Sequence, residues 1–96
     1  MVRRTAAGDE SWRSYAVEFG KRLRQMRLDR GLTQEDVASA AGLSRFVYQQ
    51  YERGESRPGT PSNPQLRTLV AISRVLGTHV GELLPDPELG EPVGEP

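Results

Sequence analysis

Cysteine is absent from this 96-residue chain, and histidine and lysine each occur once. Without cysteine no disulfide can form, which fits a reducing compartment. His79 alone cannot build a nitrogen–sulfur metal site, so no metal or other cofactor is expected. No apolar run approaches the roughly 18 residues that span a bilayer. The opening MVRRTAAGDES carries two arginines but lacks the apolar segment of a secretory signal. A cytoplasmic location with no membrane partner is therefore expected. There is also no carboxylate pair in a recognisable motif and no phosphate-cradling glycine loop, so no catalytic residues are predicted and an enzyme is the remotest reading. A chain this short, without repeats, holds one small domain with a modest core.

Charge is balanced in total but not along the chain. Residues 12–79 contain eleven basic side chains against six acidic ones, whereas residues 80–96 contain five acidic and none basic. Twelve of the thirteen basic residues are arginine. A basic body with an acidic tail suits a binding surface held beside a solvated appendage. The tail either keeps the chain soluble or acts autoinhibitorily.

Residues 1–10 lack apolar periodicity and are expected to be a disordered tail. From Ser11 a long first helix is predicted, with Trp12, Tyr15, Phe19, Leu23 and Met26 on one face and Gly31 at its end. Trp12 and Tyr15 either wrap over the core or form an exposed patch that pairs two subunits. Residues 54–64, GESRPGTPSNP, carry three prolines and two glycines and read as an ordered loop. Asn63–Pro64 then signals the start of a fourth helix, with Leu66, Leu69, Val70, Ile72, Val75 and Leu76 on its apolar face and Gly77 as its stop. A short fifth helix runs from about Val80 to Leu84. Residues 85–96, PDPELGEPVGEP, read as a disordered acidic tail. Nothing reads as a strand. The domain is thus expected over 11–84, all-α and five-helical, with a core drawn from Phe19, Leu23, Met26, Leu32, Val37, Ala41, Leu43, Tyr48, Tyr51, Leu66, Leu69, Ile72, Leu76 and Leu83.

The most informative stretch is residues 31–54, GLTQEDVASAAGLSRFVYQQYERG. Thr33 with Asp36 three residues on makes a capping-box pattern. Gly42 closes that helix through a positive φ. Ser44 caps the next helix, Tyr48 and Tyr51 mark its inward stripe, and Gly54 ends it. Two helices so closely joined cross steeply, the geometry of a helix-turn-helix. Arg45, Phe46, Gln49 and Gln50 are left pointing away from the core.

This stretch resembles the Cro/repressor-type (lambda-repressor-like) helix-turn-helix family of bacterial and phage regulators. The resemblance runs in order from FGKRLRQMR through GLTQEDVASAAGLSR and YERG to LRTLVAISRVLG and VGELL, about two thirds of the chain. It implies a five-helix DNA-binding domain, a recognition helix over about Ser44–Arg53 in the major groove, and a transcriptional regulator, a repressor by expectation. A dimer on half-sites about 34 Å apart is expected, because one small domain buries little surface.

Each candidate contact has a chemical reason. Ser44 caps a helix N-terminus whose free amides and partial positive charge suit a phosphate. The planar fork of Arg45 spans guanine N7 and O6, or grips a phosphate. Phe46 meets a thymine methyl or the sugar edge, unless it folds back on the preceding helix. Gln50, one turn on, pairs with adenine, while Gln49 lies on the flank near backbone. The resemblance further implies that Gln34 touches phosphate and braces Arg45. It also implies that Arg27 pairs structurally with Glu52, and that Arg53 and Arg57 neutralise phosphates beside the following loop. That loop is several residues longer than the family usually shows. Arg22 and Arg24 read as solvated charges, with a phosphate contact as the alternative. The alternative from another class is an antitoxin or similar protein-interaction module. Its partner would dock on Trp12/Tyr15 or the acidic tail, with the helix-turn-helix serving mainly as scaffold.

Overall fold

The computed structural model describes residues 5–87, with side chains from residue 10 onward. Five helices surround one core: α1 (Thr5–Asp29), α2 (Gln34–Ala40), α3 (Arg45–Arg53), α4 (Leu66–Leu76) and α5 (Val80–Leu83). Between α3 and α4 lies a small antiparallel hairpin, β1 (Glu55–Arg57) with β2 (Thr60–Pro61).

The core forms where the apolar stripes meet. Phe19 and Leu23 of α1, Val37 and Ala38 of α2, Tyr48 of α3, Ile72 and Leu76 of α4 and Leu83 of α5 make one buried cluster. Met26, Leu32, Ala41, Leu43, Tyr51 and Leu69 pack around it as expected, joined by Val75 and Leu84. Ala38 is the fully buried member that the sequence stripe omitted. Leu66 is the reverse case: it is 70% exposed, because it occupies the first position of α4, before that helix meets the core.

The helix signals of the central stretch act as their chemistry requires. Thr33 Oγ1 accepts from the Asp36 amide while the Asp36 carboxylate accepts from the Thr33 amide, completing the capping box. Gly42 leaves α2 at φ 77° and Gly54 leaves α3 at φ 84°, values a β-carbon resists.

Four expectations need correction. The first helix begins at Thr5, not Ser11, so residues 5–10 of the expected tail are helical. Ala6 and Ala7 favour a helix, and propagating an existing helix needs no packing. Residues 1–4 and 88–96, where most of the remaining expected disorder falls, lie outside the described residues, while residues 85–87 are described and lie outside regular structure. The loop after α3 contains strands after all. Pro58–Gly59 turns the chain, with Gly59 at φ 81° in the second central position, which Pro-Gly type II turns require. Strands of three and two residues show no periodicity to read. Helix α4 starts at Leu66 with Gln65 as N-cap: residues 62–65 are outside regular structure, and Gln65 itself has extended backbone. Finally, Arg22 is not merely solvated: it donates to the carbonyls of Glu82 and Leu84 and ties α5 to α1.

Trp12 and Tyr15 are also tied down. Their rings stack with centroids 5.2 Å apart. The indole N–H donates to the Ser62 carbonyl at 2.9 Å, and the Tyr15 hydroxyl donates to the Pro85 carbonyl at 2.7 Å. The pair wraps over the body and clasps the hairpin exit and the segment after α5.

Candidate nucleic-acid interface

Helix α3 is held from within by a buried polar cluster. Arg27 Nε and Nη2 donate to the two Glu52 carboxylate oxygens at 2.6 and 3.0 Å, and Arg27 Nη1 donates to the Leu32 carbonyl at 2.9 Å. The Tyr48 hydroxyl and the Gln34 amide donate to the same carboxylate. Both ionic side chains are almost fully buried, at 9% and 4% exposure. A fork-to-fork pair with its remaining lone pairs satisfied is the form in which a buried charge is tolerated. Burial pushes the Glu52 carboxyl upward, but its bonds from Arg27, Tyr48 and Gln34 outweigh that and hold it below the usual carboxylate range. Burial, and then the carboxylate beside it, push the Tyr48 phenol well above its ordinary value. The structural reading of Arg27 and Glu52 therefore has a geometric basis.

Close backbone approach adds a second constraint. A β-carbon on Gly20 would lie 2.7 Å from the Tyr51 carbonyl oxygen and closer still to that of Glu52. Helix α1 can press against the end of α3 only because residue 20 is glycine. Sequence reasoning missed this residue, although a glycine inside a predicted helix costs about 1 kcal/mol against alanine and so asks for a packing reason.

The opposite side of α3 is open. Ser44 Oγ accepts from the Val47 amide, leaving the amides of Arg45 and Phe46 as the end-of-helix donors available to an anion. Arg45 is exposed and Phe46 is 65% exposed, so the ring does not fold back on α2. Arg53 and Arg57 are exposed, one at the end of α3 and one beside the hairpin turn. Arg13 donates to the Gly59 carbonyl at 2.9 Å, fastening the hairpin tip to α1.

Three expected contacts sit differently. Gln34 is bonded to Glu52 and not to Arg45: its amide N–H donates to the buried carboxylate, while Arg45, a donor only, stands exposed. The Gln50 amide donates to the Ser56 carbonyl in the hairpin, so its two polar atoms are not jointly available for adenine. Gln49 is half-buried on the flank. The structure thus gathers Ser44, Arg45, Phe46 and Arg53 on or at the ends of one outward face, with Gln49 at its edge, Arg57 on the neighbouring hairpin, and Gln34 and Gln50 turned to internal partners.

A closely joined helix pair whose second helix is locked inside and bare outside defines a helix-turn-helix protein. The helix-turn-helix domain model matches residues 18–85, and the chain belongs to that family. It is 31% identical over 70 residues to the cryptic phage CTXphi transcriptional repressor RstR of Vibrio cholerae, covering 73% of this chain and 58% of that one. It therefore spans under two thirds of that relative's length. It is 32% identical over 77 residues to an SPbeta prophage-derived HTH-type transcriptional regulator, YonR, of Bacillus subtilis, covering 73% of this chain and 71% of that one. Among solved structures, the restriction-modification controller protein C.AhdI from Aeromonas hydrophila superposes with a TM-score of 0.64 at 33% identity. That match covers 72% of this chain and 96% of the other. Among the described residues no helix is long and apolar enough to cross a membrane.

Proposed function

We propose that this chain is a sequence-specific double-stranded-DNA-binding transcriptional regulator, with residues 11–84 as its DNA-binding unit. Helix α3 enters the major groove, Arg45 reads a guanine edge, and Phe46 meets a thymine methyl or sugar edge. Gln49 touches the flank, while Ser44, Arg53 and Arg57 hold phosphates. The reading rests on one observation: a 65%-exposed phenylalanine beside an exposed arginine on a helix whose other side is fully engaged. An apolar ring left in water at a rigid site is best accounted for by an apolar partner surface. Gln34 and Gln50 act through Glu52 and the hairpin, and any base contact by Gln50 requires its bond to Ser56 to break. The name of the Vibrio cholerae relative supports a repressor, on this reading it acts in the cytoplasm, and a homodimer on two half-sites follows from the small surface one domain can bury.

Selection of bound sequences from random duplexes at physiological salt tests the proposal. The expected result is a two-fold site with half-sites about one helical turn apart. Recovery of no preferred sequence would overturn it.

A further inference from the structure

A well-formed groove lies away from the outer face of α3. It holds about 870 Å³ between the exposed end of α1, the hairpin exit and the segment after α5. Trp12, Tyr15, Phe19, Leu69 and Leu84 give it aromatic and aliphatic walls. Among the described residues the charged side chains lining it are Glu18 and Asp86, both carboxylates. Glu18 is loosely paired with Lys21, at 3.6 Å and largely in solvent. Arg22 is held by the carbonyls of Glu82 and Leu84 and does not line the groove. Asp86 lines the groove together with Trp12 and Tyr15; burial raises the Tyr15 phenol, Arg22 opposes this and Asp86 adds to it. Ser62 also lines the groove. It is 1% exposed, and its hydroxyl has no hydrogen-bond partner among the described residues.

These features select a ligand by chemistry. Apolar walls require an apolar body. Electron-rich Trp and Tyr rings attract a cation over an anion, and the carboxylates at the rim have the same preference. An orphaned hydroxyl behind a clasp of two hydrogen bonds marks a wall not fully satisfied by the chain itself. We infer that this groove is a binding site for an aromatic organic cation, a small-molecule site separate from the DNA-facing helix. Its wall at Ser62 is also one hydrogen bond from Gly54, the residue that ends α3.

Trp12 is the single tryptophan and reports directly on the groove. The purified full chain, without DNA, is titrated with tetraphenylphosphonium and, separately, with the near-isosteric anion tetraphenylborate. Quenching of Trp12 fluorescence is the readout. The expected result is saturable quenching, with the cation bound about tenfold or more tightly than the anion. In the double variant Glu18→Gln, Asp86→Asn the preference should shrink to about threefold or less with unchanged helicity by circular dichroism. Absence of saturable quenching, equal affinity for both ions, or a variant that keeps the full preference would each overturn the inference. None of these outcomes depends on whether α3 reads DNA.

Discussion

The two sides of α3 differ in kind, although they belong to the same nine-residue helix. Inward, Tyr48 and Glu52 are closed in a network with Arg27 and Gln34, and Gly20 lets α1 close on the helix end. Outward, Arg45, Phe46 and Arg53 have water as their surroundings. The inner side fixes position, and the outer side is free to choose a partner. A recognition helix needs both, because a base contact worth a few kcal/mol is lost if its carrier moves by an ångström.

Substitutions that separate the two sides sharpen this contrast. The largest effect is expected from Glu52→Ala, which strands the Arg27 guanidinium and removes about 3–5 kcal/mol of stability. Thermal unfolding should show a fall of many degrees. An unchanged melting temperature would place the pair outside the stabilising framework. Gly20→Ala comes next, near the top of the roughly 1–3 kcal/mol range for overpacking, since both obstructing atoms are backbone and cannot turn aside. Chemical denaturation measures this directly, and a gain in stability from alanine's helix propensity would show that the helices are free to part.

On the outer side, Arg45→Ala should leave the melting temperature within about a degree or two, as exposed substitutions do. It should weaken binding to the selected site by about 1–3 kcal/mol with little change on random DNA. Arg57→Ala should have the smallest effect, a reduction of about 0.9 in the slope of log affinity against log salt without altered sequence preference.

pH probes the inner side through Glu52 and Tyr48. The Glu52 carboxyl lies below its ordinary value in the folded chain, so its contribution is present above the unfolded pKa of about 4.3 and is lost as pH falls further. The Tyr48 phenol is raised, so its contribution is intact below about 10 and is lost as pH rises beyond that. Read in denaturation midpoints, the contributions of these two groups should therefore be constant between these limits and be lost on either side. Glu52→Gln should flatten the acid limb, and an unaltered limb would assign it to another carboxylate.

The contrast also explains what was legible in the sequence. Helix ends were readable because Thr33 with Asp36, Ser44, Gly42, Gly54 and Gly77 act locally, within a turn of where they stand. The outward quartet came from helical phase alone, which correctly exposes Arg45 and Phe46. What phase does not reveal is competition between partners. Gln34 and Gln50 stand where a DNA contact was expected, yet a buried carboxylate and a free carbonyl reach them first. The hairpin escaped notice because two- and three-residue strands carry no alternation, and Gly20 because its reason lies on another helix.

The most direct test is the double variant Arg45→Ala, Phe46→Ala, assayed for both stability and binding. The account predicts an unfolding transition indistinguishable from that of the parent chain. It also predicts loss of preference for the selected duplex over a scrambled one, with weak salt-sensitive binding retained. A lowered melting temperature, or an undiminished preference, would contradict the division of α3 into a side that holds and a side that reads.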